Sequence, residues 1–179
     1  MALCAALLLV GCSDDDGGSD ESDPKPSPTA TPDRAAVVDG LAALYAGDHP
    51  RKSDAEAGAC FAEELVDRAG YDRLTAAGIL TDAGEVVAEL PTFDEETAGL
   101  WVDAQFACVD YVEQSTEALA AQTKGRLDRE VYAACLRDAI TDQEIRDAVV
   151  ASLMGAFDSP EVVALSDAQV ECRGEATAG

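Results

Sequence analysis

From residue 33 onward, apolar side chains recur every three or four positions, and a polar capping residue stands before most of these runs. Asp33 precedes Val37, Val38, Leu41, Leu44 and Tyr45, a set that shares one helix face and ends at Gly47. Ser53 and Glu56 have capping-box spacing, and Ala57, Cys60, Phe61 and Leu65 follow on one face up to Gly70. Tyr71 to Ala77 reads as a short helix stopped by Gly78. Thr92 and Glu95 form a second box, ahead of Leu100, Ala104, Cys108, Tyr111 and Val112, with Asp110 restarting the helix towards Gly125. Asp128 caps a helix bearing Tyr132, Cys135 and Leu136, and Thr141 with Glu144 boxes the next, with Ile145, Val149 and Leu153 inward. Ser159-Pro160 opens the last helix, with proline at the tolerated first position. No segment alternates for long. Thr81 to Glu89, around a turn at Asp82-Ala83-Gly84, is open between a short extended arm and a helical turn. The pattern predicts an all-α fold.

The first 33 residues follow a different pattern. Ala2 to Val10 is a short apolar run, Gly11-Cys12 follows, and the chain then turns abruptly polar. Leu9-Val10-Gly11-Cys12 resembles the lipobox of bacterial lipoproteins. The resemblance implies a signal peptide over residues 1–11, removed before Cys12, and a diacylglycerol on the Cys12 thiol. Two acyl chains on one residue give stable membrane attachment where one would be marginal. Signals of this kind begin with positive charge, and no Lys or Arg precedes this run, so a basic segment is expected upstream of Met1. Residues 12–33 read as a disordered tether. Asp14, Asp15, Asp16, Asp20, Glu21 and Asp23 lead into Pro24, Pro26, Pro28 and Pro32 among Ser and Thr, which cannot form a core and favours extension. Arg outnumbers Lys nine to three in an Ala-, Asp-, Val- and Gly-rich chain. On this bias the whole chain resembles an actinobacterial lipoprotein, specifically over residues 1–33 and generally beyond them. The resemblance implies an extracytoplasmic, lipid-anchored location at the cell membrane and no activity.

With Cys4 in the signal and Cys12 lipidated, Cys60, Cys108, Cys135 and Cys172 remain, an even number in an exported domain. Their gaps of 48, 27 and 37 residues lack the close pairs of a tetrathiolate zinc site, and no metal site is expected. Four cysteines allow three pairings, and an internal repeat chooses among them. Aligned without gaps, Phe93–Cys108 and Phe157–Cys172 share Phe93/Phe157, Asp94/Asp158, Asp103/Asp167, Ala104/Ala168, Gln105/Gln169 and Cys108/Cys172, six of 16 positions. Chance would give roughly one or two. A weaker match sets Ala59-Cys60 against Ala134-Cys135 and, after one gap, Ile79 and Leu80 against Leu153 and Met154. Two related units follow, about residues 53–109 and 128–173 of a helical domain at 34–179, each three helices long and closed by its own bridge. The expected bridges are therefore Cys60–Cys108 and Cys135–Cys172. The rival, Cys108–Cys135 with Cys60–Cys172, would close the chain as one ring.

Charge narrows the function classes. There are 36 acidic and 12 basic residues, a net charge of −24, which repels nucleic acid. The 47% hydrophobic content includes 34 alanines, so large apolar side chains are sparse, and no apolar run is long enough for an ordinary spanning helix. The single histidine, His49, stands in Asp48-His49-Pro50-Arg51-Lys52 without a signalled nucleophile and reads as a loop residue. Arg51 and Lys52 are the one strongly basic spot and read as a solvated loop. Asp103 and Asp167, with Gln105 and Gln169, recur five and three residues before each unit's last cysteine. They read as packing and polar contacts near each bridge rather than a cation site or acid/base pair. Trp101, near Phe106 and Tyr111, reads as core. No Gly-rich phosphate loop, Gly-x-Ser-x-Gly elbow, His-Glu-x-x-His motif or twelve-residue calcium loop occurs.

These readings combine into a membrane-anchored, non-enzymatic binding or interaction module without catalytic residues or cofactor, its partners the membrane and another cell-envelope protein. The alternative is a small-molecule or lipid carrier with its ligand between the two units. A large apolar pocket there would favour the carrier; a filled core with an exposed apolar patch would favour the interaction module.

Overall fold

Seven helices follow one another in the computed structural model, which describes residues 32–177. The signal, Cys12 and nearly all of the tether lie outside the described residues. In chain order the helices are α1 (Arg34–Ala46), α2 (Lys52–Ala76), α3 (Glu95–Cys108), α4 (Tyr111–Gln122), α5 (Arg129–Ala139), α6 (Asp142–Leu153) and α7 (Pro160–Thr177). The fold is all-α: the only β-pairing among the described residues is an isolated antiparallel bridge between Leu80 and Val86. That bridge settles Thr81–Glu89 as a small extended hairpin, turned at Gly84 and tied by Val87 N–H to the Ile79 carbonyl at 3.0 Å.

Most boundaries follow the side-chain chemistry of their caps. Asp33, Asp110 and Asp128 each accept from an amide of the first turn that follows, satisfying donors with no helical partner. Thr141 and Glu144 form the full reciprocal box at α6. Two boundaries differ from the sequence reading. The Ser53–Glu56 box does not form: α2 starts at Lys52, and the Asp54 carboxylate accepts from the Arg51 amide at 3.0 Å and from its guanidinium at 2.8 and 2.9 Å. An arginine contributes more donors than a serine, so the carboxylate three residues on pairs with it, and Glu56 pairs with Lys52 instead at 3.4 Å. The cap of α3 is Asp94 rather than Thr92, with Thr97 N–H donating to Asp94 at 2.7 Å. Inside α2, Gly70 breaks the helix where the sequence placed a stop. Its φ of 70° with ψ of 164° is open essentially only to glycine.

Each bridge lies within one unit. Cys60–Cys108 ties α2 to α3 with Cα atoms 5.8 Å apart, and Cys135–Cys172 ties α5 to α7 at 5.5 Å. Two apolar cores go with them. The first gathers Leu41 of α1, Phe61, Leu65 and Leu74 of α2, Ile79, Phe93 and Trp101. The second gathers Val112 of α4, Tyr132 and Leu136 of α5, Ile145 of α6, and Leu165 and Cys172 of α7. Each three-helix unit thus also recruits the helix before it: α1 lies on α2, and α4 lies on α5. The first of these contacts is close, since a Cβ at Gly58 would stand 2.7 Å from the Ala42 carbonyl oxygen. The halves meet where α6 packs on α3.

Candidate interaction surface

The residues singled out for chemistry are dispersed and mostly engaged. His49 is exposed in the α1–α2 connection. Arg51 is bound to Asp54 and lies 3.7 Å from Glu117, and Lys52 pairs with Glu56, so the basic spot is internally compensated. Trp101 is core, its ring 4.6 Å from Phe61 and 5.5 Å from Phe93 between centroids. Among the described residues no group of three or more His, Cys, Asp or Glu side chains is placed to hold a metal ion, and no helix is long and apolar enough to cross a membrane.

Of the two repeated glutamines, Gln169 makes the polar contacts. Gln169 donates from Nε2 to Tyr111 Oη at 3.0 Å and Ser115 Oγ at 3.4 Å, and Ser115 Oγ is 3.1 Å from Tyr132 Oη. In the first half it is Gln114 of α4, donating from Nε2 at 3.3 Å, that bonds Tyr45 Oη, a contact between the halves. A glutamine thus holds the tyrosine hydroxyl of α1 and of α4, from α4 in the one case and from α7 in the other. Burial raises the pKa of both phenols, and the glutamine bonds partly oppose it. The arrangement satisfies half-buried polar groups and fixes the leading helix.

The repeated aspartates have unlike surroundings. Asp103 accepts from Arg146 of α6 at 3.2 Å, and the same guanidinium lies 4.4 Å over the Phe106 ring. Asp167 is exposed on α7 and makes no ion pair among the described residues. Arg146, Val150 and Leu153 stand on one stripe of α6, and Val150 and Leu153 pack against the first core. Phe93 N–H closes this seam by donating to the Leu153 carbonyl at 3.0 Å.

Two of the open grooves that flank α4 carry its Glu113 and Glu117. One, of about 580 Å³ between α4 and α5, has an alanine floor at Ala133 and Ala134 and a rim where Arg129 pairs with Glu117 at 2.6 Å. The other, of about 360 Å³, runs beside the Cys60–Cys108 bridge under Arg51. Neither combines a reactive side chain with an unpartnered base.

What the sequence reading missed is an apolar surface. Phe157 is 70% exposed, Val170 68% and Val163 46%; the last two lie seven residues apart on one stripe of α7 that also holds Asp167. The available signal was the repeat alignment, which sets Val163 opposite Gly99 and Val170 opposite Phe106 on the outward side of α3. No family model matches the chain, and no curated protein or solved structure matches it.

Proposed function

We propose that the chain is a lipid-anchored extracytoplasmic lipoprotein whose helical domain is a non-enzymatic interaction module. The observation that carries the second half of this reading is the exposed set Phe157, Val163 and Val170 on a domain with two filled cores and two internal bridges. Isolated surface apolar residues need no explanation, but a stripe of them on one helix beside an exposed phenylalanine suits contact with another protein. The anchor half rests on Leu9-Val10-Gly11-Cys12 and the acidic, proline-rich stretch behind it. A carrier receives less support. Arg146, Val150 and Leu153 occupy the α3–α6 seam, and the grooves between the halves, beside α2 and α4 and beside Phe106 and Arg146, are open and carry charged residues rather than an apolar lining.

The anchor is tested by expressing the full chain, with a basic signal segment restored ahead of Met1, in a host that processes lipoproteins. The wild type labels with palmitate and partitions into detergent, and Cys12→Ala does neither. Equal behaviour of the two overturns the anchor and leaves the interaction module to be judged separately.

A further inference from the structure

We propose that the outer face of α7 docks a helix of a partner protein presenting an arginine between apolar residues, in the way α6 covers α3. The proposal rests on the interaction-module reading and specifies the partner's chemistry. The inner positions of α3 and α7 agree: Trp101 and Leu165 are buried, as are Ala104 and Ala168. The outer positions agree in kind. Phe93, Gly99, Asp103 and Phe106 correspond to Phe157, Val163, Asp167 and Val170 in the gapless alignment. On α3 this face is occupied at Asp103 and Phe106, while Gly99 faces open space. Arg146 binds Asp103 and covers Phe106, Val150 and Leu153 pack on the first core, and Leu153 accepts from the Phe93 amide. On α7 the same positions are open, with the valines more exposed than a seam would allow and Asp167 without a cation among the described residues. In stacked repeats the face one unit shows to the next is the binding face of its neighbour. The internal seam therefore states what fits α7: a helix with a cation one turn from apolar residues.

A second copy of this chain does not meet that need. Its α6 stripe is already used on its own α3. The corresponding residues of the first half, Ile79 and Leu80, are 0% and 2% exposed under their own hairpin. Two α7 faces laid together would oppose Asp167 and its neighbour Glu171 across an interface between molecules of charge −24.

The probe is a fluorescent peptide of residues 141–155, held helical by a hydrocarbon staple replacing Ile145 and Val149, which face their own core in the intact chain. Anisotropy with the full chain should show saturable binding. Val170→Glu should weaken it about tenfold, as loss of a central apolar contact does. Arg146→Glu in the peptide should weaken it about threefold and regain that loss against Asp167→Arg, an exposed-pair coupling. Absence of saturable binding, or binding indifferent to Val170→Glu, overturns the proposal. So does a dimer of the full chain in sedimentation equilibrium that Val170→Glu dissolves. Photo-crosslinkers placed separately at Val163 and at Glu130, on the α4–α5 groove, distinguish the two levels in intact envelopes. Protein adducts from Glu130 alone overturn the α7 site and keep the interaction module; none from either position overturns both.

Discussion

Phe93 and Phe157 hold the same place in the two halves of the domain, yet the first is 5% exposed and the second 70%. Their local sequences do not explain the difference, since each is followed by an aspartate and a helix that carries a bridged cysteine. The explanation lies outside each half. Phe93 rests on Trp101 and has α6 beyond it, with its amide bonded to Leu153, whereas α7 has no helix beyond it among the described residues. In a repeated fold the inside of a unit is set by its own residues and the outside by its neighbour. The cores differ too. Tyr45, Phe61, Trp101 and Phe93 form a chain of aromatic contacts in the first half, while the second relies on aliphatics, Tyr132 and the Gln169 network.

The bridges give the largest effect and the first way to break this comparison. They close separations of 48 and 37 residues, so replacing either pair with alanine should cost about 4 kcal/mol by loop closure, nearly equal between halves. Urea unfolding of the two double variants checks this. Equality in stability should not extend to reactivity. Cys60 is exposed beside a groove, whereas Cys172 is 0% exposed. Under native conditions a reductant should open Cys60–Cys108 first, as mapped by alkylation and mass spectrometry. Earlier opening of Cys135–Cys172 would mean that the second half unfolds locally more easily than its burial indicates.

The phenylalanines sharpen the comparison next. Phe93→Ala should destabilise the domain by about 3 kcal/mol, the usual cost of emptying a buried aromatic site. Phe157→Ala should stay within about 0.5 kcal/mol, as for a surface position. Thermal and urea melts of both variants decide it. Equal losses would show that Phe157 is covered in solution, and a contact between copies would then replace the partner helix.

The repeat was legible in inward and outward residues alike. Cys108 and Cys172, and Ala104 and Ala168, serve each half's own interior, whereas Phe157, Asp103 and Asp167 are exposed; the identities together, with the weaker match around Cys60 and Cys135, carried the pairing of all four cysteines. Caps were legible where one short polar residue had no competitor, as at Asp33, Asp128 and Thr141. They were not legible where a neighbour competed: Arg51 draws Asp54 from the Ser53 register, and Asp94 displaces Thr92. The membership of α1 and α4 in the two halves was hidden because their apolar partners lie far along the chain: Val37 and Leu41 join Phe61, Leu65 and Trp101, and Val112 joins Tyr132, Leu136 and Leu165. The α7 surface was hidden for the reason that separates Phe93 from Phe157. Identical residues mark equal position in a unit, and exposure depends on what the next element covers.

The smallest expected effect concerns pH and compares the caps of the two halves. Three carboxylates are held below the usual carboxylate range. The Arg51 guanidinium, then its amide, does this to Asp54; the Thr97 amide and hydroxyl do it to Asp94; the Thr141 amide and hydroxyl do it to Glu144. Each binds its proton less readily folded than unfolded, so its contribution is complete above the unfolded value of about 4 and is lost as pH falls through the lower folded value. Melting temperature should therefore fall in acid below about pH 4, with two of the three groups acting in the first half. Glu144→Gln should be less stable than wild type at neutral pH, with the deficit shrinking towards zero as Glu144 itself takes up a proton. Hydrogen exchange should place that deficit in the first turn of α6, whose box includes Thr141 N–H donating to Glu144 at 2.8 Å. Asp94→Asn should show the same pH dependence in the first turn of α3. A deficit that persists unchanged in acid would mean that the side chain's shape, rather than its charge, holds the cap, and would remove the electrostatic difference between the halves.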